Sequence, residues 1–308
     1  MDLLSRAIDE LGLRRSSFRR FLAGPAPWAL AYDPGVQGVH VVVAGNCELV
    51  VGRERQRLEA GDFVVLPRGG AHVLRSLGPV QRGQPESASE LVRRQPGTAP
   101  LALGVGPATC ELVCGALDFE AKDHPMLASV GERLIVRKAG GTRLSSAALE
   151  ALDDEVRRAR AGTDAVITRL AELLFVEALR AHAAGGAECP VGGWFSGLKD
   201  PAIARALGAF HADIAAPWSV ASLARAAAQS RAVFARRFTA TLGETPLAYA
   251  RRWRLFHARR LLRTTTASLD EVAAAVGYGS APALSLAFSK DTGSSPGAYR
   301  AHHAATRE

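Results

Sequence analysis

Five side chains in the first 115 residues belong to types that hold metals or exchange electrons: His40, Cys47, His72, Cys110 and Cys114. A mononuclear metal needs about three convergent ligands. His40, Cys47 and His72 are the trio that short strands would turn toward one interior. The plainer alternative is a satisfied strand histidine and a small core cysteine. Cys110 and Cys114 lie four apart, so on a strand they share a face but sit about 13 Å apart at roughly 3.3 Å per residue. They cannot bond to each other within one regular strand. Either could pair with Cys47 in a thiol switch, or all three are plain buried thiols.

A second set is suited to recognition rather than reaction. Phe234, Phe238 and Leu242 recur at spacing four, one buried stripe of a helix. The outward face is then Arg231, Ala232, Ala235, Arg236 and Thr239. The Arg236 fork matches guanine O6 and N7, and Ala232 or Ala235 matches a thymine methyl. Arg237, Arg251, Arg252 and the helix start at Ser230 are suited to phosphates.

The elements that must position these faces form an internal repeat. Ser230, Phe234, Phe238, Gly243, Pro246 and Tyr249 return fifty residues later as Ser280, Leu284, Phe288, Gly293, Pro296 and Tyr299. Each copy is spaced as helix, turn, helix. Ser219 and Ser268 can cap first helices, Ser230 and Ser280 second ones. Gly243 and Gly293 suit the left-handed residue past a helix end. A helix from Pro246 to Arg263 joins the copies. At roughly 1.5 Å per residue it is about 25 Å long, enough to hold two recognition helices about one DNA turn apart. The second outward face is Ala281, Pro282, Ala283, Ser285, Leu286 and Ser289, with little capacity for hydrogen bonds. The first unit is therefore expected to carry most base specificity and the second to give position and shape contacts.

Upstream, residues 1–20 read as a short helix and residues 25–120 as short strands such as Val39–Val43, Leu49–Val51 and Phe63–Leu66, broken by glycine turns. Residues 82–100 read as a polar, mobile loop. Residues 146–184 read as two helices, the second apolar over a face wide enough for sensor packing or a dimer interface. Residues 183–193 read as a linker containing Cys189.

The length of 308 residues predicts two domains. No apolar run is long enough to span a membrane, no export signal opens the chain, and four cysteines point to a reducing, cytoplasmic setting. Charge is segregated. Residues 197–308 carry fifteen Lys and Arg against seven Asp and Glu, whereas residues 1–196 carry twenty-three of each. A polyanion partner for the C-terminal part explains that placement.

On these motifs residues 199–301 resemble the DNA-binding domain of AraC/XylS-family transcription regulators, ending in Pro296-Gly-Ala-Tyr-Arg300. The resemblance implies that Ala232, Ala235 and Arg236 face bases. It departs from the family at Leu286, where a basic residue is usual. Gly61-x5-Pro67-x-Gly69-x2-His72 is similar to the second cupin motif, while the first motif is degraded, with Gly38 at the position of its metal-binding Glu. The N-terminal part thus resembles a cupin sensor domain without the metal of catalytic cupins. The expected fold is α+β: a cupin-like barrel over 1–145, a helical dimerisation and linker region over 146–196, and an all-α domain over 197–308 with units near 219–243 and 268–293. The expected function is a homodimeric regulator of double-stranded DNA, in the activator form, answering a small molecule or oxidant, with no cofactor, no catalysis and no membrane partner. The DNA-contact set is Arg231, Ala232, Ala235, Arg236, Arg237, Thr239, Arg251, Arg252, Ser280, Pro282, Ala283 and Leu286. The sensing set is His40, Cys47, His72, Cys110 and Cys114. The competing readings are a cupin enzyme with a DNA-binding tail, which needs a metal triad, and an architectural DNA binder that ignores small molecules.

Overall fold

The computed structural model describes residues 2–78, 85–185 and 193–305. The chain divides into two compact units. One comprises Leu11–Lys122 and Val130–Val191; the other comprises Met1–Glu10, Asp123–Ser129 and Gly192–Glu308.

In the first unit, eleven strands are present among the described residues. They are β1 (Leu13–Ala23), β2 (Ala29–Tyr32), β3 (Gln37–Ala44), β4 (Asn46–Val51), β5 (Glu54–Glu59), β6 (Phe63–Leu66), β7 (His72–Arg75), β8 (Glu86–Ser87), β9 (Leu101–Leu103), β10 (Cys110–Phe119) and β11 (Leu134–Val136). They form a six-stranded sheet in the order β11-β6-β3-β10-β1-β9 and a five-stranded sheet in the order β5-β4-β7-β2-β8. The inner faces meet in one core that includes Phe21, Leu30, Leu49, Leu74, Leu112 and all three described cysteines. Turn glycines make the close returns. Gly45 has φ +73°, and a Cβ there would meet the Thr109 carbonyl oxygen at 2.2 Å, so only glycine fits.

Two helices cover the larger sheet. The N-terminal helix of the chain is α1 (Leu3–Leu11), and a short α2 (Ala88–Arg94) follows β8. Further on come α3 (Pro125–Ala128), α4 (Arg143–Arg158) and α5 (Thr163–Ala184); α4 and α5 pack on each other and on β1. Arg20 of β1 is buried and pairs with Glu111 of β10 and Asp153 of α4, so β1, β10 and α4 are fastened by charge as well as by apolar packing.

Two expectations fail here. Residues 13–23 are a strand, not the tail of the first helix. The polar Arg and Ser residues hid it, and several of them find partners distant in sequence. The 82–100 segment is not a featureless loop: β8 pairs with β2, and Ser87 caps α2, whose Leu91 is buried. Of the expected linker 183–193, residues 183 and 184 end α5 and Gly193 opens the next helix, while residues 186–192, with Cys189, lie outside the described residues, as do residues 79–84.

The second unit is helical: α6 (Gly193–Lys199), α7 (Pro201–Ala212), α8 (Val220–Ala226), α9 (Arg231–Leu242), α10 (Pro246–Thr264), α11 (Leu269–Ala275), α12 (Ala281–Thr292) and α13 (Pro296–Ala305), joined by α3 and Leu3–Glu10 of α1. Ser219 and Ser268 each form a capping box, with Ser222 and Glu271. Ser230 and Ser280 accept the backbone N–H of Val233 and Ala283. Gly243 and Gly293 end α9 and α12 at φ 80° and 75°. The repeated aromatics recur as one contact: Phe238 meets Tyr249 edge-on at 5.6 Å and Phe288 meets Tyr299 at 5.2 Å.

Candidate functional site: recognition helices and barrel interior

The recognition faces follow from which side of each helix is buried. Phe234, Phe238 and Leu242 of α9 are buried, as are Leu284 and Phe288 of α12. Arg231, Ala232, Val233, Arg236, Arg237 and Thr239 are exposed on α9, and Pro282, Ala283, Leu286 and Lys290 on α12. Ala235, expected outward, is half-buried. Val233, 42% exposed, stands in the open instead. Spacing could have found it, because residues 232, 233 and 236 lie opposite the 234/238 stripe.

The arginines differ in freedom. Arg231, Arg236 and Arg251 are exposed and make no ion pair among the described residues. Arg237 pairs with Asp200, a carboxylate that also accepts the Ala202 and Ile203 amides at the start of α7. Arg252 pairs with Glu244 and donates to the Pro125 carbonyl at 3.2 Å. Both therefore have protein partners that spacing could not reveal. Arg254 holds the connecting helix through the Ile214 and Ala216 carbonyls, at 2.9 and 2.6 Å.

Beneath this surface lies a buried polar network that sequence reading missed. Trp194 donates to the Tyr249 hydroxyl at 3.1 Å, and that hydroxyl lies 2.6 Å from His211 Nε2. Burial pushes the Tyr249 phenol well up and His211 down to about 3, so the neutral imidazole accepts the phenolic proton. Glu10 stands 3.4 Å from His124 Nε2 and 3.8 Å from His257 Nε2. His124 Nδ1 accepts the Met126 amide, which puts the remaining proton on Nε2, toward Glu10.

In the barrel, His40 from the larger sheet and His72 from the smaller one meet with Nε2 atoms 2.7 Å apart. His72 Nδ1 lies 2.8 Å from the Gly70 carbonyl, so Nδ1 carries the proton and Nε2 accepts from His40. His40 Nδ1 is then a bare acceptor, buried without a partner among the described residues. Burial holds both imidazoles below their usual range, and so neutral. Tyr32 stacks on His72 at 4.7 Å, and its buried hydroxyl has the Cys114 thiol, a weak partner, beside it. Gly38 borders the pair: a Cβ there would lie 3.1 Å from His40 Nε2.

The cysteines separate into two kinds. Cys47 and Cys110, on opposite sheets, form a hydrogen-bonded pair. Donation by Cys47 lowers the Cys110 thiol and raises its own. Cys114, beside Tyr32, is pushed up to about 12 by burial. Of the two readings of His40, Cys47 and His72, the ligand trio finds no support, because no group of three or more His, Cys, Asp or Glu among the described residues is placed to hold a metal. The two imidazoles bond each other, and the Cys47 sulfur faces Cys110.

Comparison with known proteins places the two parts of the chain in known families. Residues 2–184 match the cupin family model and residues 223–302 a helix-turn-helix domain model. An AraC-like transcription regulator of Streptomyces lividans is 34% identical, covering 98% of this chain and 99% of its own. The HTH-type transcriptional regulator AlkR of Acinetobacter baylyi is 29% identical, covering 97% and 99%. Among solved structures, the DNA-binding domain of AdpA in complex with a target DNA is 39% identical, covering 35% of this chain and 96% of that one, with a TM-score of 0.34. Relatives over the full length are regulators with DNA-binding domains rather than enzymes. The chain belongs to the AraC family of DNA-binding transcription regulators, with a cupin domain ahead of its helix-turn-helix domain.

Proposed function

We propose that the protein is a cytoplasmic, homodimeric activator whose barrel interior receives a small-molecule or oxidant signal. The observation that carries the sensing role is the polar cluster in the barrel core: His40 Nδ1 is buried without a partner among the described residues, and the Tyr32 hydroxyl beside it has only a weak one in the Cys114 thiol, a costly state that a ligand's polar groups would relieve. The Cys47–Cys110 pair beside it supports an oxidant as the alternative signal, with Cys110 the attacking sulfur. Cys114, held protonated, is the poorest nucleophile of the three. The half-exposed Leu170, Leu173 and Val176 of α5, in line with exposed Val166, support that helix as the dimer surface.

On DNA, Arg231, Ala232, Arg236 and Thr239 face the bases of one half-site, with Ala235 at the margin. Arg251 and the Ser230 and Ser280 helix ends hold phosphates. Arg237 and Arg252 join them by exchanging carboxylate for phosphate, a small cost because exposed ion pairs are worth about 0–1 kcal/mol.

The test is fluorescence anisotropy of the full chain on its own upstream DNA, at two salt concentrations, with and without a mild reversible thiol oxidant. Steep salt dependence with an oxidant-dependent affinity that Cys110→Ser abolishes establishes thiol sensing. Affinity indifferent to oxidant sends the signal to the His40–Tyr32 cluster. A reporter fused to the bound promoter, lower in the deletion strain, establishes activation; a higher reporter overturns it.

A further inference from the structure

We infer that Leu286 is a specificity-determining residue that reads thymine methyl groups, so that the second helix-turn-helix unit selects its half-site by apolar contact in the major groove. The inference rests on the reading above, in which both second helices face DNA.

Leu286 is 76% exposed in the middle of α12. It cannot turn inward. Leu284 and Phe288 are fully buried against α10 and α11, and residue 286 lies on the opposite side at about 100° per residue. Leaving a leucine in water forgoes roughly 1.5–3 kcal/mol of burial, so a polar residue would be the cheaper occupant of an idle surface. The internal repeat identifies the surface. Residues 232, 233 and 236 of α9 correspond at fifty residues' distance to Pro282, Ala283 and Leu286, and all six are exposed. Leu286 thus occupies the place of Arg236.

The charges around it fit a polyanion. The N-terminal amides of α12 open at Ser280, and Lys290 lies exposed one turn beyond Leu286. Asp291, the one acidic residue of the helix, is drawn into an ion pair with Arg259. With Ser285 and Ser289 half-buried beside them, the exposed side chains toward the groove are a proline ring, a methyl and an isobutyl group. None of these side chains donates or accepts a hydrogen bond, so they match none of the polar base edges. The major groove displays one apolar group, the thymine 5-methyl.

The experiment selects binding duplexes from a randomised DNA library with the full-length protein, then replaces thymines with deoxyuridine in each half-site, removing only the methyl. Selected duplexes are expected to hold thymine in the half-site opposite the guanine-containing one. Uracil there should weaken binding about fourfold per contacted methyl. Leu286→Ala should bind thymine and uracil duplexes equally, and Leu286→Arg should move the selection toward guanine. The side chain is exposed, so neither variant disturbs the core. Two results overturn the inference: wild-type affinity unchanged by uracil in that half-site, or Leu286→Ala still preferring thymine. A Leu286→Ala protein that binds every duplex as wild type does but fails to activate a reporter also overturns it, and gives the leucine to a protein partner. Recovery of no duplex at all sinks the two-unit reading itself, an outcome distinct from the others.

Discussion

At the scale of the residue, two side chains at matching places in a repeat are expected to act through different physics. Arg236→Ala should cost about 1–3 kcal/mol of binding and relax one base position, as measured by selection or competition on mismatched duplexes. Leu286→Ala should cost less, since it forfeits methyl contacts only. If it relaxes specificity more than Arg236→Ala does, the division of labour between the units is wrong. Arg251 is exposed and outside any ion pair among the described residues, and is proposed to hold a phosphate. Arg251→Ala should weaken all sequences alike and lower the slope of log affinity against log salt by about one. The exposure of Arg231 and Arg236 was legible because helical spacing tells inside from outside. The Arg237–Asp200 pair was not, since its partners lie 37 residues apart in different helices.

At the scale of the element, the turns and caps give stability predictions. Ala228, in the turn between α8 and α9, is exposed with φ 54°. A left-handed alanine is disfavoured relative to glycine, so Ala228→Gly should stabilise the C-terminal unit by up to about 1 kcal/mol in denaturant titration. The second turn already has Gly277 at φ 75°. In the other unit Arg20 is buried between Glu111 and Asp153. Arg20→Ala should cost about 1–3 kcal/mol, because Glu111 and Asp153 lose their buried cation and keep only the half-exposed Arg157; a change under 1 kcal/mol would show that the β1–β10 pair is held by apolar contact alone. The strand containing Arg20 was missed in the sequence for the same reason: its polar residues look solvent-facing until α4 supplies their partner.

At the scale of the whole molecule, charge and buried histidines set the response to solution conditions. Burial lowers the imidazoles of His211, His124 and His257. Glu10 opposes the shift at all three without reversing it. The unfolded chain, with ordinary histidines, therefore binds more protons below about pH 6.5. Stability of the C-terminal unit should be full above that pH and fall as acid is added, by up to about 1.4 kcal/mol per pH unit for each imidazole that stays neutral. Denaturant titrations at pH 7.5 and 5.5 check this, and His211→Gln should flatten the dependence. Stability equal at the two pH values would mean that the imidazoles are not kept neutral by burial.

The helix-turn-helix repeat, its caps, its glycine stops and its excess of positive charge were determined by the sequence itself, because each depends on residues within a few positions of one another. Serine capping, spacing of four and left-handed glycine are local physics. The cupin turn ending at His72 was legible for the same reason. Tertiary structure alone decided that His40 bonds His72, that Cys47 faces Cys110 rather than a metal, and that residues 2–10 and 123–129 group with the C-terminal helices. Those outcomes depend on which strands and helices become neighbours. That is set by burial of the whole apolar surface, so residues far apart in the chain acquire partners that no spacing rule encodes.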